Sequence, residues 1–286
     1  MSTTPRVAVL GLGTMGAAMA RRISGAGLPT KVWNRSATRA EAFAGGPAVV
    51  AADIALAVAE AEVVVTMLFD AEAVTAVMAE ALPAMRPDAV WLQCSTVGID
   101  AANRFADAAA ADAIAFVDAP MLGTKGPAEA GTLTALVAGT PEALDVVAPV
   151  LAAIASRTVR AGDAAPAGSA LKLAMNAWIA TITAGIAQSL TIADRLGLDP
   201  RLVLEALQGA AADSPYAQIK GGAMLQQGFE PQFEVVGLLK DVRLAREATP
   251  GMPQQLLAAL DDLYSAAADG GAGRSDIAAV WRAFQD

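Results

Sequence analysis

Three glycines close to the N-terminus have the spacing of a dinucleotide-binding turn. They belong to the run Gly11-Leu12-Gly13-Thr14-Met15-Gly16, which follows a short apolar stretch and opens a helical pattern. Gly11 permits a tight turn, Gly13 lets backbone N–H groups approach a pyrophosphate, and Gly16 lets the helix pack closely on the strand. The helix N-terminus then faces the phosphates with its partial positive charge. In this context the motif predicts dinucleotide binding, with a glycine-rich turn of another α/β fold as the alternative.

The residues about 20 positions past the glycines indicate which dinucleotide is bound. NAD-binding domains place Asp or Glu there to bond the ribose 2′-hydroxyl. This chain has Asn34-Arg35-Ser36, with Thr38 and Arg39 nearby. Arg35 would attract a 2′-phosphate, and Ser36 would donate a hydrogen bond to it. These residues predict NADP(H) binding; the alternative is that Arg35 is an ordinary solvated loop residue.

A proton donor for carbonyl reduction has to be found without histidine, because the chain contains none. Lys172 and Asn176, four residues apart, lie on one face of a predicted helix. A lysine partly removed from water has a lowered pKa and can exchange a proton near neutral pH, and Asn176 would hold a substrate oxygen. The alternative for Lys172 is a side chain that only snorkels or pairs with an acid. The rival pair, Tyr216 and Lys220, has the Tyr-x-x-x-Lys spacing of short-chain dehydrogenases but lies outside the predicted sheet domain.

Short apolar runs alternate with helical patterns in the first part of the chain. Strands are predicted at residues 6–10, 30–33, 63–68, 90–93, 115–118 and 133–138, and helices at 14–25, 37–44, 54–59, 71–82, 100–111 and 141–154. The later patterns are helical only, at residues 169–196, 201–207, 215–226, 233–249, 252–268 and 275–284. The predicted fold is α/β: a Rossmann-type doubly wound parallel sheet over residues 1–162, then an all-α domain over residues 163–286, with a long interdomain helix.

Composition narrows the possible ligands and compartments. The net charge is 20 − 29 = −9, which argues against a general attraction to nucleic acid or to an anionic membrane. One cysteine, Cys94, allows neither an internal disulfide nor a cysteine-based zinc site. No signal-peptide pattern is present, and residues 177–193, although apolar, contain Gln188 and several hydroxyl residues. We therefore expect a cytoplasmic protein without a metal, whose long apolar helix is buried rather than embedded in a membrane.

Seven motifs occur in a fixed order along the chain. They are GLGTMG (residues 11–16), WNRS (33–36), TML (66–68), the pair Ser95-Thr96, the loop DAPMLGTKGPAEAGTLTALVAG (118–139), KLAMN (172–176) and KDVRLA (240–245). In this order they resemble the β-hydroxyacid dehydrogenase family, which includes 3-hydroxyisobutyrate dehydrogenase and the glyoxylate/succinic semialdehyde reductases. The resemblance runs nearly from end to end, and the PAE step at residues 127–129 is more similar to the reductase branch.

The resemblance implies an NADP-dependent enzyme that interconverts a small aldehyde or oxoacid with its hydroxy product. By position, Lys172 corresponds to the family's catalytic lysine, which protonates the carbonyl oxygen, and Asn176 corresponds to the asparagine that holds the substrate. Asp241 either orients its neighbour Lys240 or forms a simple surface pair with it. The other residues that the resemblance places near the cofactor, the nicotinamide or the substrate are Met67, Leu68, Thr96 and Lys240.

The substrate loop departs from the family's pattern at one residue. Leu122 stands where the family usually has a serine whose hydroxyl helps to receive the substrate carboxylate. The backbone N–H groups of Gly123 and Thr124 and the Thr124 hydroxyl remain for this purpose. The loss of one donor to a charged group costs about 1.5–3 kcal/mol, so we expect weaker binding of small hydroxyacids and a bulkier or less polar substrate. Pro166, where the family often has glycine, is expected only to change the entry to the long helix.

Three other functions compete with this one. Imine reductases share the architecture but usually lack the catalytic lysine, and 6-phosphogluconate dehydrogenase is much longer and needs phosphate-binding residues such as histidine. A non-catalytic NADP-binding protein is the third, and the presence of both Lys172 and Asn176 argues against it. Because the long helix has more apolar surface than a small helical domain can cover, we also predict a homodimer, with the active site between the domains.

Overall fold

The computed structural model describes residues 4–285 of the 286-residue chain. The start of the predicted domain 1–162 and the last residue of the predicted domain 163–286 therefore lie outside the described residues. Its first part contains nine strands: β1 (Val7–Leu10), β2 (Thr30–Trp33), β3 (Val49–Val50), β4 (Val63–Thr66), β5 (Val90–Gln93), β6 (Ala115–Asp118), β7 (Met121–Leu122), β8 (Leu133–Ala138) and β9 (Ala155–Gly162). The helices among them are α1 (Thr14–Gly25), α2 (Ala37–Glu41), α3 (Ile54–Val58), α4 (Ala71–Ala81), α5 (Ile99–Ala111), α6 (Lys125–Ala130) and α7 (Pro141–Ile154), with a 3-10 turn at Leu82–Ala84.

The nine strands form one sheet in the order β3-β2-β1-β4-β5-β6-β8-β7, with β9 paired to β8. The strands from β3 to β6 are parallel, as the alternating sequence pattern predicts. The remaining part is mixed, because β8 runs antiparallel to β6 and β7 and parallel to β9. The sheet is therefore predominantly parallel rather than entirely so.

Both faces of the sheet are covered, which confirms the doubly wound prediction. Alternate residues of β1 point to opposite sides: Val7 and Val9 pack in a core with α1, α6 and α7, whereas Ala8 and Leu10 pack in a core with α3, α4 and α5. Because both faces of the central strands are buried, these strands are continuous apolar runs rather than alternating ones.

Four elements of this part escape the sequence pattern, and each has a local reason. The strands β3 and β7 have two residues each, too few for any periodicity. The edge strand β9 is largely exposed and contains polar side chains, so it has no apolar run. The helix α6 contains Gly126 and Pro127, which are poor helix formers. In addition, the predicted strand 63–68 ends at Thr66, and Met67 and Leu68 form the following loop.

The chain after β9 is helical, as predicted. It comprises α8 (Ala167–Arg195), α9 (Arg201–Leu207), α10 (Pro215–Leu225), α11 (Val235–Ala248) and α12 (Gln255–Ala267), a π-helical turn at Ala268–Ala272 and a 3-10 helix at Ile277–Phe284. The last of these replaces the α-helix expected at 275–284. An isolated bridge joins Glu234 and Asp276, and the described residues that follow β9 otherwise form no β-structure. Leu190, Met224, Leu238 and Tyr264 are fully buried in this part.

The chain divides into two compact units, Met1–Lys172 and Leu173–Asp286, and the division falls inside α8. The boundary predicted after residue 162 lies ten residues earlier, at the end of β9, and it stays a prediction. The helix α8 is long and apolar enough to cross a membrane by length and composition alone, since an 18-residue window within it has a mean hydropathy of 1.3. Its buried residues include Asn176 and Thr183, which is typical of the core helix of a soluble domain, and core helices pass the same test.

Candidate active site

The glycine turn between β1 and α1 has the backbone geometry that its sequence predicts. Gly11 has φ +105°, and a Cβ there would collide with the Met67 carbonyl oxygen and lie 2.7 Å from Leu68 Cδ2. A Cβ on Gly16 would collide with the Gly11 carbonyl oxygen. Neither position accommodates a side chain, so the strand, the turn and the helix approach as closely as a dinucleotide fold requires.

Gly13 differs from the other two glycines because the space around it is open. It is the N-cap of α1 and has no side chain to bond the first N–H groups of the helix. The nearest atom to a Cβ built on Gly13 is Arg39 Nη1, 4.0 Å away. Among its neighbours in the run, Leu12 is buried in the core, Thr14 is exposed and Met15 is half-buried. The free N–H groups and the open space fit a pyrophosphate.

The segment after β2 carries two cationic side chains, and that of Arg39 lies close to this turn. The Asn34 side chain accepts a hydrogen bond from Leu12 N at 2.9 Å and donates one to Ser36 O at 3.1 Å, so Asn34 fixes the loop. Arg35 and Ser36 are exposed, as is Arg39 one turn into α2. The proximity of the Arg39 guanidinium to Gly13 was not foreseen from the sequence, and no helical spacing indicates it, because Arg35 precedes the N-cap of α2.

A buried polar network holds the loops that follow β4 and β5. Leu68 N donates to Ser95 Oγ at 2.9 Å. The fully buried Gln93 side chain accepts from Ser95 N at 2.7 Å and donates to Ser95 O at 2.8 Å. Trp91 Nε1 donates to Thr66 Oγ1 at 2.9 Å. The network fixes Leu68 and Ser95, the sequence neighbours of Met67 and Thr96, and a glutamine at the end of an apolar strand was its sequence signal.

These four loops share one edge of the sheet. They follow the carboxyl ends of β1, β2, β4 and β5, on either side of the point where the strand order reverses between β1 and β4. Open α/β sheets bind their ligands at such a switch point. The predicted cofactor residues from 11 to 96 are therefore brought together by the topology.

The predicted substrate loop lies farther along the same sheet, after β6. Leu122 is half-buried and pairs with Thr134 of β8. Gly123 has φ +132°, and a Cβ there would lie 2.6 Å from Leu133 Cδ2, so the loop needs glycine at this position. Thr124 precedes α6 and its side chain makes no capping hydrogen bond to that helix.

The first turns of α8 carry the predicted proton donor. Lys172 has only 6% of its surface exposed, and Asn176, one turn later, is fully buried. Near the start of the helix, the buried Asp118 carboxylate accepts hydrogen bonds from Ser169. Burial raises the pKa of the Asp118 carboxyl, and hydrogen bonds from Ser169 and Gly168 counteract part of that rise.

Asn176 also belongs to a polar cluster with two residues of α11. Asn176 Nδ2 donates to Asp241 Oδ2 at 2.5 Å, and Lys240 Nζ donates to Asp241 Oδ1 at 2.7 Å. Only 3% of Asp241 is exposed, so its contact with Lys240 is not a surface pair. Asn176 Oδ1 is buried and has no hydrogen-bond partner among residues 4–285. A buried acceptor without a donor is costly, so this oxygen is suited to receive a ligand's hydrogen bond.

The rival pair is built into the core of the helical part. Lys220 Nζ binds Asp276 Oδ1 at 2.7 Å, and Tyr216 places its ring 5.4 Å from the same ammonium. No group of three or more potential metal ligands occurs in the described part of the chain.

The chain is similar to hydroxyacid dehydrogenases along its whole length. A family model described as the NAD binding domain of 6-phosphogluconate dehydrogenase matches residues 6–162, and one described as NAD-binding of NADP-dependent 3-hydroxyisobutyrate dehydrogenase matches residues 166–284. The chain is 31% identical over 249 residues to the probable 3-hydroxyisobutyrate dehydrogenase of Mycobacterium tuberculosis, covering 85% of this chain and 84% of that protein. It is 27% identical to glyoxylate/succinic semialdehyde reductase 2 of Arabidopsis thaliana, covering 99% and 80%. A solved structure of Mycobacterium tuberculosis 3-hydroxyisobutyrate dehydrogenase with L-serine matches with a TM-score of 0.90 at 28% identity, covering 99% of this chain and 100% of that one.

Proposed function

The chain belongs to the β-hydroxyacid dehydrogenase family, and from this premise we propose that it uses NADPH to interconvert a small aldehyde or oxoacid with its hydroxy product. It is an oxidoreductase with a nicotinamide cofactor. The observation that supports the proposed reaction best is the burial of Lys172, 6% exposed and one turn before the fully buried Asn176 in α8. NADPH, when bound, supplies the hydride.

The chain's own residues provide binding and a proton. The Lys172 ammonium donates a proton to the carbonyl oxygen during reduction and recovers it during oxidation. Asp241 holds the Asn176 amide by its nitrogen, which leaves Asn176 Oδ1 to accept a hydrogen bond from the hydroxyl of the product. Gly123 and Thr124 receive the acidic end of the substrate, and Lys240 adds a positive charge. Residues 1–162 bind the cofactor and contain Gly123 and Thr124, and residues 163–286 supply the other substrate contacts and the dimer contacts of a cytoplasmic enzyme.

The proposed reaction is tested with a panel of carbonyl compounds, in which NADPH oxidation is followed by absorbance. The panel contains glyoxylate, succinic semialdehyde and apolar aldehydes, with a parallel assay for amine formation. Because Leu122 replaces the family's serine, apolar aldehydes should have the higher kcat/KM, and Leu122→Ser should raise kcat/KM for glyoxylate by about 10-fold or more. Strong, selective turnover of glyoxylate by the natural chain would contradict the role of Leu122. Amine formation without carbonyl reduction would identify an imine reductase instead.

We expect Arg35 and Arg39 to determine the preference for NADPH. Arg35→Ala should lower kcat/KM for NADPH by about 10-fold or more and leave that for NADH nearly unchanged, because a charged hydrogen bond to the 2′-phosphate contributes about 1.5–3 kcal/mol. Arg39→Ala should have a smaller effect in the same direction. Steady-state kinetics with both cofactors measures this, with the exposed Arg104→Ala as the control. A natural preference for NADH would refute the assignment.

The homodimer that we propose uses the exposed face of α8. Trp178 and Ile192 are 58% and 53% exposed and lie two heptads apart, with Gly185 between them in open space. A second copy of the chain would cover this apolar face. Light scattering at micromolar concentration should give a dimer, and Ile192→Arg should give a monomer, whereas Val146→Arg, at an apolar site of α7 that is 39% exposed, should not. A monomeric natural chain at that concentration would exclude the dimer.

A further inference from the structure

The long helix α8 begins without a side-chain cap from its own neighbourhood. The residue before it is Pro166, which has no side-chain oxygen and cannot accept a hydrogen bond from the first turn. Some other helices of the chain are capped locally: the side chains of Asp53, Asp70 and Ser214 each accept from an N–H three residues later. Pro166 cannot do this for α8, so a side chain that caps its first turn must come from elsewhere.

Asp118, at the end of β6, supplies that acceptor from 51 residues away in sequence. Its side chain is fully buried. Asp118 Oδ2 accepts from Ser169 N at 2.7 Å, and Oδ1 accepts from Ser169 Oγ at 2.8 Å. The two bonds use both oxygens of the carboxylate, and its charge faces the positive end of the helix.

The backbone around this carboxylate is also closely packed. A Cβ on Gly168 would lie 2.6 Å from both the Asp118 and the Leu136 carbonyl oxygens. The first turn of α8 thus lies directly against the ends of β6 and β8. A local cap stabilises a helix end, but a cap that comes from a strand also fixes that end against the sheet.

We propose that Asp118 is a positioning residue for Lys172. Lys172 follows Ser169 by three residues, on the next turn of the same helix. Rigid contacts therefore connect the sheet to Asp118, Asp118 to the first turn of α8, and that turn to the lysine. Displacement of the first turn would move the Lys172 ammonium, and misplacement by about 1 Å is enough to slow a reaction by about 100-fold. This inference rests on the proposed role of Lys172 as proton donor.

The test is a double-mutant cycle with Asp118→Asn and Lys172→Ala in the full-length protein. Asp118→Asn retains the size of the side chain but replaces one acceptor oxygen by a donor. It should lower kcat about 10- to 100-fold and leave the Kd for NADPH within twofold. In the Lys172→Ala background the same change should lower kcat less than twofold, because Asp118 acts only through the lysine. Ser169→Ala should lower kcat to a smaller extent, and Ser169→Thr, which restores the hydroxyl, should recover it.

A second readout does not depend on activity. Hydrogen exchange of the amides of Gly168 and Ser169 should accelerate in Asp118→Asn, while exchange in the core of α1 stays unchanged. Asp53→Ala removes the local side-chain cap of α3 and serves as the control, with kcat unchanged. Natural kcat in Asp118→Asn, an additional 10-fold loss in the double variant, or unaltered exchange would each overturn the inference. If Lys172→Ala alone retained full turnover, the proposed function would fail instead, so the two failures are distinguishable.

Discussion

Replacement of Lys172 by alanine should lower kcat for carbonyl reduction by about 10²–10⁴-fold, the range expected for loss of a positioned general acid. The chain has no histidine to take over the proton transfer. The Kd for NADPH should stay within about twofold, because the predicted cofactor residues from 11 to 96 do not include this lysine. Single-turnover NADPH oxidation together with NADPH fluorescence titration measures the two quantities separately.

Lys172→Arg distinguishes the loss of proton transfer from the loss of positive charge as the cause of a lower kcat. Arginine retains the positive charge and the hydrogen-bond donors, but its pKa above about 12 prevents it from giving up a proton at neutral pH. We therefore expect kcat to fall in Lys172→Arg nearly as far as in Lys172→Ala, with KM less affected. Lys31→Ala, at a partly exposed lysine of β2 that pairs with Glu60, is the matched control and should behave like the natural chain. More than a tenth of the natural kcat in Lys172→Ala would contradict the mechanism.

The parts of the fold that local sequence determines were predictable. Gly11 and Gly16 occupy positions where any Cβ would collide with backbone, so their spacing alone specifies the turn. The central parallel strands β1, β4 and β5 are apolar runs because both of their faces are buried, and such runs are visible without a structure. The first turns of α8 were also predictable, since Lys172 and Asn176 are separated by one helical turn.

The contacts that complete the candidate site were not predictable, because they join residues far apart in sequence. Asp118 binds Ser169 across 51 residues, and Asn176 binds Asp241 across 65. Each of these polar residues, taken alone, is of a type that is common on the surface of loops and helices. Only the fold removes them from water, and burial then requires that each find a partner. The partners of buried polar groups therefore come from topology and not from a local pattern.

Lys220 is the second buried lysine of the chain, and its replacement should affect stability rather than catalysis. Lys220 and Asp276 form a 2.7 Å ion pair whose side chains are 5% and 4% exposed. Asp276 also accepts hydrogen bonds from the backbone N–H groups of Gln232, Phe233 and Ala278. Lys220→Met would leave the carboxylate buried without a counter-charge. The free energy of unfolding should fall by about 3–5 kcal/mol, measured by urea denaturation at fixed protein concentration.

A surface pair of the same length provides the control for burial. Arg160 and Asp163 are also 2.7 Å apart, but their side chains are 48% and 87% exposed. Arg160→Met should therefore lower the free energy of unfolding by less than about 1 kcal/mol. Adding Asp276→Asn to Lys220→Met should restore part of the loss, because the unpaired charge is then removed while one acceptor oxygen remains for the backbone N–H groups. While folded, Lys220→Met should retain kcat within about twofold. A loss of kcat comparable to that of Lys172→Ala would instead make the Tyr216–Lys220 pair the proton donor.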